Sequence, residues 1–451
     1  MNNSVSTTLL SQYSFDLILN TFPQTKKIWI ACSGGMDSSV LLHLIFSNKE
    51  KIGQSLEVVY VDHGLQGESA EWGDFCRTQC NDYDLTFTQL NINETVPKGE
   101  SVEAWAREKR YALIAQIMNK GDLLFTAHHQ DDQVETFFLQ ALRGAGPRGL
   151  SSMPLFKDIA NGIHVRPLLN YCRNELLSYA SENKLSWQDD LSNADTKFDR
   201  NFLRNNIIPA FEQRWPAYRE TISRLLNHQQ DCASLMNEVG LEDLKLVSHE
   251  NKLRLNTLRN LSTTRQKNII FIWLQELQLA TPGSKHINQI FSDLINSTTD
   301  NAACVNWKDV EVRKYRALLY ASNKMNKDVD SIAYDWDLAC PLKIMDETLS
   351  AKAEIGSGLS KEKTRNSKIS VQYRHGGEKI KPDNNAHSKT VKQLFQERGV
   401  LPWVRDRFPL VYVNDTLAAI PGVCVDINYS AENDEPSWQI VWSGYNKAIQ
   451  S

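Results

Sequence analysis

The sequence predicts an α/β fold whose first part is a doubly wound parallel sheet, followed by a mainly helical domain and a small α+β domain. Short apolar runs rich in β-branched and aromatic residues alternate with longer helical patterns in that first part. Polar clusters follow two of these runs directly, as expected where ligands bind at the carboxyl ends of parallel strands. The predicted strands are residues 28–32, 56–61, 85–90 and 123–127.

Helical patterns connect the predicted strands. An apolar pattern begins at Val40, soon after the first strand, and further helices are predicted at about 69–83, 101–118 and 173–184. Ser101 suits the N-terminus of its helix, because a hydroxyl oxygen accepts hydrogen bonds from free helix N–H groups. The run at 123–127 is mostly apolar, as a strand buried on both faces would be.

The string Ser33-Gly34-Gly35-Met36-Asp37-Ser38 lies between the first strand and the first helix. Adjacent glycines allow positive φ angles and a close approach to a ligand, while serine hydroxyls and free helix N–H groups favour an anion. The first three residues alone also fit an ordinary turn. Asp37 is unusual beside a phosphate unless Mg²⁺ lies between them. A GxxxxGKS or GxxxxGKT loop is absent, which disfavours an NTPase that cleaves the γ-phosphate.

A second polar cluster, residues 127–136, follows the fourth strand. On a helix that begins near residue 130, one face carries three acids, Asp131, Asp132 and Glu135. For Asp131 alone, a stabilising acid in the first helical turn is the simpler interpretation. His128 and His129 raise the question of zinc, but the cluster has no His-Glu-x-x-His spacing and no cysteine ligand. Its oxygen-rich composition suits Mg²⁺ better.

Two arginine-bearing segments follow. Residues 142–150 contain the spacing G-x-G-x-x-G, but a predicted helix precedes them, so a dinucleotide site is not predicted. What remains is a flexible basic loop carrying Arg143 and Arg148, which could close over a substrate. Arg200 and Arg204 stand four residues apart, which fits a solvated helix face.

Composition limits the class of protein. With 451 residues the chain has room for two or three domains, and a net charge of −4 does not by itself indicate nucleic-acid binding. Residues 351–410 carry 13 Lys and Arg against 6 Asp and Glu, which fits a phosphate-contacting patch and a solvated basic face equally. The 8 cysteines form no Cys-x-x-Cys pair, and no membrane-length apolar run or signal peptide is evident. We expect a cytoplasmic protein.

Residues 33–38 resemble the SGGxDS loop of the N-type ATP pyrophosphatases, which cleave ATP between the α- and β-phosphates and pass AMP to an acceptor. Further motifs occur in the order seen in bacterial tRNA(Ile)-lysidine synthases, and the chain resembles this family over residues 28–216 and again near its C-terminus. The motifs are Val61-Asp62-His63-Gly64-Leu65, residues 103–111, His128-His129-x-Asp131-Asp132-x-x-Glu135, Arg143-Gly144, Arg166-Pro167-Leu168-Leu169, Asp199-Arg200-Asn201-Phe202-Leu203-Arg204, Arg374-His375-Gly376-Gly377-Glu378, residues 391–397 and Pro402-Trp403-Val404-Arg405. At Gln66 and Phe198 the sequence departs from the family, which commonly has Arg and Tyr at these two positions. The two differences affect local contacts with the substrate and not the residues expected to carry the chemistry.

The resemblance implies a PP-loop catalytic domain, a mainly helical substrate-binding domain, a linker region and a C-terminal tRNA-binding domain. Their expected limits are 1–216, 217–325, 326–369 and 370–451. The later helices are predicted at 264–278, 284–296 and 389–398, and the later strands at 303–306, 318–320 and 410–413. Trp403, near Lys392, Arg405 and Arg407, could stack on RNA or belong to the core.

The reaction that the resemblance implies ligates free lysine to C2 of the wobble cytidine in a tRNA(Ile) with a CAU anticodon. It passes through an adenylated cytidine and converts ATP to AMP and pyrophosphate, with Mg²⁺ as cofactor. Residues 33–38 would bind ATP, and Asp37 and Asp132 would hold the metal ion. The candidates for catalysis are Asp37, His128, Asp132 and Glu135, and the candidates for contacts with nucleotide and phosphates are Arg107, Arg143 and Arg204. His128 and Glu135 would hold the activated base or the lysine ammonium, and one of them or Asp132 would accept the amine's proton.

Two alternatives stay open. A tRNA thiolase of the same ATP-pyrophosphatase class would adenylate a similar carbonyl, but such an enzyme normally needs reactive cysteines. A catalytically silent tRNA-binding protein with a relic nucleotide fold is the other alternative. The oligomeric state is not predicted.

Overall fold

The computed structural model describes residues 12–64, 69–99, 101–189, 195–297, 303–324, 332–345, 347–383 and 387–448. Gln66 lies outside these residues. The chain divides into two compact units, Met1–Asn237 and Glu238–Ser451. Within the described residues, no helix is long and apolar enough to cross a membrane.

The first unit is built on a six-stranded sheet in the order β3-β2-β1-β4-β6-β5. Its strands are β1 Lys27–Ala31, β2 Ser55–Asp62, β3 Thr86–Asn91, β4 Leu123–Phe125, β5 Phe156–Ile159 and β6 Gly162–Val165. All neighbouring strands are parallel except β5, which pairs antiparallel with β6. The predicted doubly wound parallel sheet is confirmed. The β5–β6 hairpin was not predicted, because charged residues and glycine interrupt its short apolar runs.

Nine α-helices belong wholly to the described part of the first unit, and a tenth begins there. They are α1 Gln12–Thr21, α2 Met36–Ser47, α3 Ser69–Asp82, α4 Val102–Ile117, α5 Gln130–Leu142, α6 Pro147–Leu150, α7 Arg173–Glu182, α8 Asp199–Phe202, α9 Ile208–Arg214 and α10 Tyr218–Val247. A π-helical turn, Leu203–Ile207, joins α8 to α9. The loop predicted at 142–150 is partly wrong, since α6 occupies its second half with Pro147 in its first turn.

Both faces of the sheet are buried. On β1, Ile28 and Ile30 belong to one apolar cluster, which includes residues of α2, α3 and α7. Trp29, which lies between them in sequence, belongs to a second cluster that includes residues of α4. Side chains alternate across a strand, so this division shows that helices cover the sheet on both sides. The carboxyl ends of the strands are the edge left for a ligand.

The second unit begins within α10. Its further helices are α11 Leu255–Arg259, α12 Thr263–Glu276, α13 Ser284–Gln289, α14 Val391–Glu397 and α15 Tyr445–Ala448. A π-helical turn, Ile290–Ile295, continues α13. The helices predicted at 264–278, 284–296 and 389–398 are thereby confirmed, with shorter limits for the last.

The first sheet of the second unit has five strands in the order β7-β8-β11-β10-β9. These are β7 Ser248–His249, β8 Lys252–Arg254, β9 Cys304–Trp307, β10 Val310–Tyr315 and β11 Leu318–Asn323. Together with α11, α12 and α13 they enclose one apolar cluster. The strands predicted at 303–306 and 318–320 are confirmed, but β7, β8 and β10 were not predicted.

Three more sheets surround a second apolar cluster. Their strands are β12 Tyr334–Asp335, β13 Leu342–Ile344, β14 Glu347–Ile355, β15 Leu359–Ser360, β16 Ile369–Gln372, β17 Lys379–Ile380, β18 Lys389–Thr390, β19 Leu410–Val413, β20 Thr416–Ile420, β21 Cys424–Val425 and β22 Pro436–Trp442. The orders are β12-β16-β19-β20-β21, β13-β14-β22-β15 and β17-β18. The strand predicted at 410–413 is confirmed as β19. The four expected domain limits stay predictions.

Candidate functional site

The turn between β1 and α2 is shaped by one glycine in the left-handed region. Gly34 has φ of +81°, so any residue with a Cβ would be strained there, although the Cβ itself would meet Cys76 Sγ at an ordinary contact distance of 3.4 Å. Gly35 has φ of −76° and ψ of 166°, which any residue adopts. Of the two adjacent glycines, Gly34 alone uses the positive φ that glycine allows.

Two serines tie the turn together. Ser38 Oγ donates to the Gly35 carbonyl at 2.9 Å and accepts from the Ser33 amide at 3.2 Å. The Ser33 and Ser38 hydroxyl oxygens are 3.2 Å apart. This fixes the turn directly before α2, where the first helix N–H groups have no partner within the helix. The arrangement can hold an anion such as a phosphate.

An acidic cluster lies at the N-terminus of α5, beside this turn. His129 precedes α5, and its Nε2 is 3.5 Å from Asp37 Oδ2 and 3.6 Å from Asp132 Oδ2. Burial alone would lower the pKa of His129, but the carboxylates of Asp132, Asp37 and Asp131 outweigh it and raise that pKa. Asp37 and Asp132, which were predicted to hold one metal ion, thus both lie near the same imidazole.

Glu135 is fully buried and is held by two arginines. Arg200 Nε donates to Glu135 Oε2 at 2.6 Å. Arg204 donates from Nε to Oε1 at 2.6 Å and from NH2 to Oε2 at 3.1 Å. Arg200 NH2 also donates to Asp132 Oδ1 at 2.8 Å. The interpretation of Arg200 and Arg204 as a solvated pair is wrong, because both bind buried acids. Their i,i+4 spacing places the two arginines near each other but does not show that they bind buried acids.

These contacts set the protonation states of the cluster. Burial favours a neutral Asp132, but His129, Arg200 and the His129 backbone N–H stabilise its anion and lower its pKa. Burial likewise favours a neutral Arg200, and Asp132 and Glu135 raise its pKa above the ordinary value. Asp132 and Arg200 are both ionised at neutral pH.

Asp131 has a structural role. Its Oδ2 accepts from the Arg173 backbone N–H at 2.7 Å, which caps α7, and its Oδ1 accepts from Arg219 Nε at 2.7 Å, which anchors α10. Asp131 was predicted in the first turn of a helix, and the structure has it there. Its contacts with Arg173 and Arg219 were not predicted.

The acidic cluster offers one free ligand for a cation. Asp37 Oδ1 is buried without a hydrogen-bond partner among the described residues. Asp132 Oδ1 accepts from Arg200 and Oδ2 accepts from the His129 backbone N–H, and each oxygen keeps a lone pair through which it could also bind a metal ion. Among the same residues, no three His, Cys, Asp or Glu side chains form a metal-binding group. Mg²⁺ commonly uses one or two carboxylates and keeps several waters, and this donor set fits that pattern.

The remaining predicted residues lie at different places around the cluster. His128 is half-buried after β4, and its pKa is lowered to about 3 by burial and by Arg107, Arg166 and Arg200, against the effect of Asp132. Arg107 is exposed on α4 and stacks on Tyr111 with its guanidinium 5.3 Å from the ring centroid. Arg143 ends α5 with an exposed side chain, and it contacts no acid of the cluster among the described residues.

Family models match three segments of the chain. Residues 7–211 match a PP-loop domain, residues 253–320 a TilS substrate binding domain, and residues 369–442 a TilS substrate C-terminal domain. The first segment contains the glycine turn, residues 33–38, and the second contains β9, β10 and parts of β8 and β11. The third contains most of the basic segment, residues 351–410.

Curated relatives match nearly the whole chain. The chain is 33% identical to a tRNA(Ile)-lysidine synthase of Coxiella burnetii over 94% of both chains. It is 32% identical to that of Nitrosomonas europaea over 98% of this chain and 97% of the relative. Among solved structures, the U34-tRNA thiolase NcsA from Methanococcus maripaludis is 16% identical with a TM-score of 0.38, covering 48% of this chain and 78% of its own.

The ion pairs of Glu135 predict a measurable loss of stability. Replacing Arg200 with Leu leaves Glu135 with Arg204 alone and removes the 2.8 Å hydrogen bond to Asp132. We expect the opening free energy of α5, measured by native-state hydrogen exchange, to fall by about 2 kcal/mol, since a buried charge loses a partner. Arg224→Leu, at an exposed position of α10, is the control and should change it by less than about 0.5 kcal/mol. Equal effects of the two variants would contradict a buried role for Arg200.

Proposed function

The chain belongs to the tRNA(Ile)-lysidine synthase family, and we propose that its first unit adenylates the wobble cytidine of a CAU anticodon and then joins lysine to C2 of that base. As a member of this family the protein is a ligase that uses ATP to modify a tRNA. The observation that supports the proposal is the glycine turn at the end of β1 with the Asp37–His129–Asp132 cluster beside it.

The proposed reaction has two steps. The C2 carbonyl oxygen of cytidine attacks the α-phosphate of ATP, and the bond between the α- and β-phosphates breaks to release pyrophosphate. The ε-amino group of lysine then attacks C2, AMP leaves with the former carbonyl oxygen, and the amine loses a proton. A carbonyl oxygen is a weak nucleophile, so catalysis must come from positioning and from stabilisation of charge on the phosphates.

The residues of the glycine turn would hold the leaving diphosphate. The free N–H groups at the start of α2 can donate to phosphate oxygens. The Ser33 hydroxyl could do so only by giving up its hydrogen bond to Ser38 Oγ. Asp37 and Asp132 would hold Mg²⁺, which supplies charge neutralisation on the phosphates when bound. The unpaired Asp37 Oδ1 supports this assignment.

The basic side chains have separate proposed roles. Arg107, Arg143 and Arg204 would contact the nucleotide and its phosphates, because a guanidinium fork matches paired oxygens. Arg107 and Arg143 are exposed and Arg204 is held by Glu135, so the first two are free to move toward a ligand. Glu135 would keep Arg200 and Arg204 in place. The Glu135 carboxylate and the His128 imidazole are also the candidates for holding the activated base or the lysine ammonium.

The second unit would bind the tRNA backbone. Its basic segment, residues 351–410, supplies the positive charge, and Lys392 on α14 is exposed. Trp403 is partly buried, with Tyr320 edge-on at 5.2 Å and the Arg313 guanidinium 5.4 Å from its ring centroid. These contacts favour a bracing role for Trp403 over direct stacking on RNA.

The proposal predicts a lysine-dependent product. Incubation with ATP, Mg²⁺, labelled lysine and bulk tRNA should give AMP and labelled tRNA in equal amounts. Nucleoside mass analysis should find cytidine plus lysine minus water. Formation of AMP without lysine, or a nucleoside containing sulfur, would contradict the proposed reaction.

Asp37→Ala should separate chemistry from tRNA binding. Because Asp37 lies at the phosphate site, we expect pyrophosphate release to fall about a hundredfold or more, while tRNA affinity stays within about twofold. Asp74→Ala is a matched control, since the Asp74 side chain on α3 is 82% exposed. Unchanged turnover in Asp37→Ala would refute its assignment as a metal ligand.

Lys392→Ala should flatten the salt dependence of tRNA binding. A lysine that contacts one phosphate contributes about 1 to the slope of log K against log salt, so the slope should become shallower by about that amount. Lys120→Ala is the control. Lys120 is exposed and precedes β4, so it lies at the amino ends of the strands, opposite the glycine turn. If both variants keep the wild-type slope, the exposed charge of Lys392 does not contact the tRNA.

A further inference from the structure

A chain of hydrogen bonds runs through the first unit to His128. Arg166 NH2 is 3.0 Å from His164 Nδ1, His164 Nε2 is 2.8 Å from Thr126 Oγ1, and Thr126 Oγ1 is 2.7 Å from His128 Nδ1. Arg166, His164 and Thr126 are all buried. Thr126 and His128 follow β4, and His164 and Arg166 lie on or directly after β6, the neighbouring strand.

The direction of each hydrogen bond follows from the first donor. A guanidinium has only donors, so His164 Nδ1 must accept from Arg166. In a neutral imidazole the other nitrogen then carries the hydrogen, and His164 Nε2 donates to Thr126 Oγ1. The Thr126 hydroxyl hydrogen has one remaining acceptor among these partners, which is His128 Nδ1. A buried hydroxyl rarely leaves its hydrogen without a partner, so His128 Nδ1 accepts and its Nε2 carries the hydrogen.

Both histidines must be neutral for this direction to hold. Burial and the charge of Arg166 lower the pKa of His164 to about 2. Burial lowers the pKa of Arg166 only to about 10, so it stays a cation at neutral pH. His128 is likewise held neutral by burial and by the surrounding arginines. Every hydrogen bond in this series is therefore donated in the direction from Arg166 toward His128.

We propose that Arg166, His164 and Thr126 are positioning residues that fix His128 as a neutral imidazole with its hydrogen on Nε2, so that His128 donates a hydrogen bond to an oxygen of the reacting substrate. That oxygen is a phosphoryl oxygen or the C2 oxygen of the base, and the assignment rests on the reaction proposed above. It narrows the role of His128, because a nitrogen that carries a hydrogen cannot accept the proton of the attacking amine. Among the described residues, no hydrogen bond engages Nε2 of His128, and its side chain is only half-buried. Proton acceptance then falls to one of the carboxylates or to water.

The tautomer can be measured without any substrate. Magic-angle spinning NMR of the sedimented full chain, labelled with ¹⁵N in histidine, distinguishes a protonated from an unprotonated ring nitrogen, and the spectrum of His128→Gln assigns the His128 signals. We expect a single neutral form with Nε2 protonated and with Nδ1 at the shift of a hydrogen-bond acceptor. A hydrogen on Nδ1, or a charged ring at neutral pH, would overturn the proposal.

Variants of Thr126 test the origin of that state. Thr126→Val keeps the shape and removes the hydroxyl, so the Nδ1 signal should move to that of an unbonded nitrogen and a fraction of the other tautomer should appear. Thr126→Ser should restore the wild-type signals. If Thr126→Val leaves the Nδ1 shift unchanged, Thr126 does not fix His128. The wild-type spectrum decides the tautomer even if the valine variant does not fold.

A matched pair at His128 tests the donor role in the reaction. The Gln amide nitrogen lies near the position of His Nε2, and the Asn amide nitrogen near that of Nδ1. We expect His128→Gln to retain at least about tenfold more kcat for tRNA adenylation than His128→Asn, the equivalent of one hydrogen bond, with the KM for ATP similar in both. Equal kcat values would contradict donation from Nε2. A wild-type enzyme that makes no lysidine would refute the proposed function, while the spectrum would still decide the tautomer.

Discussion

The burial of carboxylates at the start of α5 is the constraint on which the rest of the first unit depends. Glu135 is fully buried and Asp132 nearly so, and a carboxylate away from water is stable only with cations or hydrogen-bond donors beside it. Arg200 and Arg204, in the segment after α7, supply the cations, and the imidazole of His129 lies beside Asp132. This requirement explains why the segment that carries Arg200 and Arg204, which follows the sheet in sequence, packs at the carboxyl ends of the strands.

The sheet provides the other half of the site. Parallel pairing of β1 with β4 places the ends of both strands at the same edge, so the glycine turn after β1 and the polar cluster after β4 become neighbours. One group of residues can therefore hold the phosphates, while the other carries the acids and His128. Because the sheet is buried on both faces, this edge is held by a packed core.

The sequence predicted most of this arrangement for physical reasons. Strand and helix periods located the sheet, and the glycine turn and acid cluster were predicted at strand ends, where the structure has them. It did not predict partners distant in sequence, because no local pattern shows that Arg200 binds Glu135 or that Arg219 binds Asp131. The hydrogen-bond chain to His128 was missed for the same reason, since Thr126 and His164 look ordinary in their strands. The β5–β6 hairpin was missed because its apolar runs are too short to show alternation.

The central claim is that the glycine turn binds the diphosphate of ATP beside Asp37. A crystal structure of the full chain with Mg²⁺ and a non-hydrolysable ATP analogue tests this most directly. The account predicts the β- and γ-phosphates on the N–H groups at the start of α2, with a metal ion between them and the Asp37 carboxylate. Diphosphate bound away from residues 33–38, with Asp37 Oδ1 still lacking a partner, would contradict it.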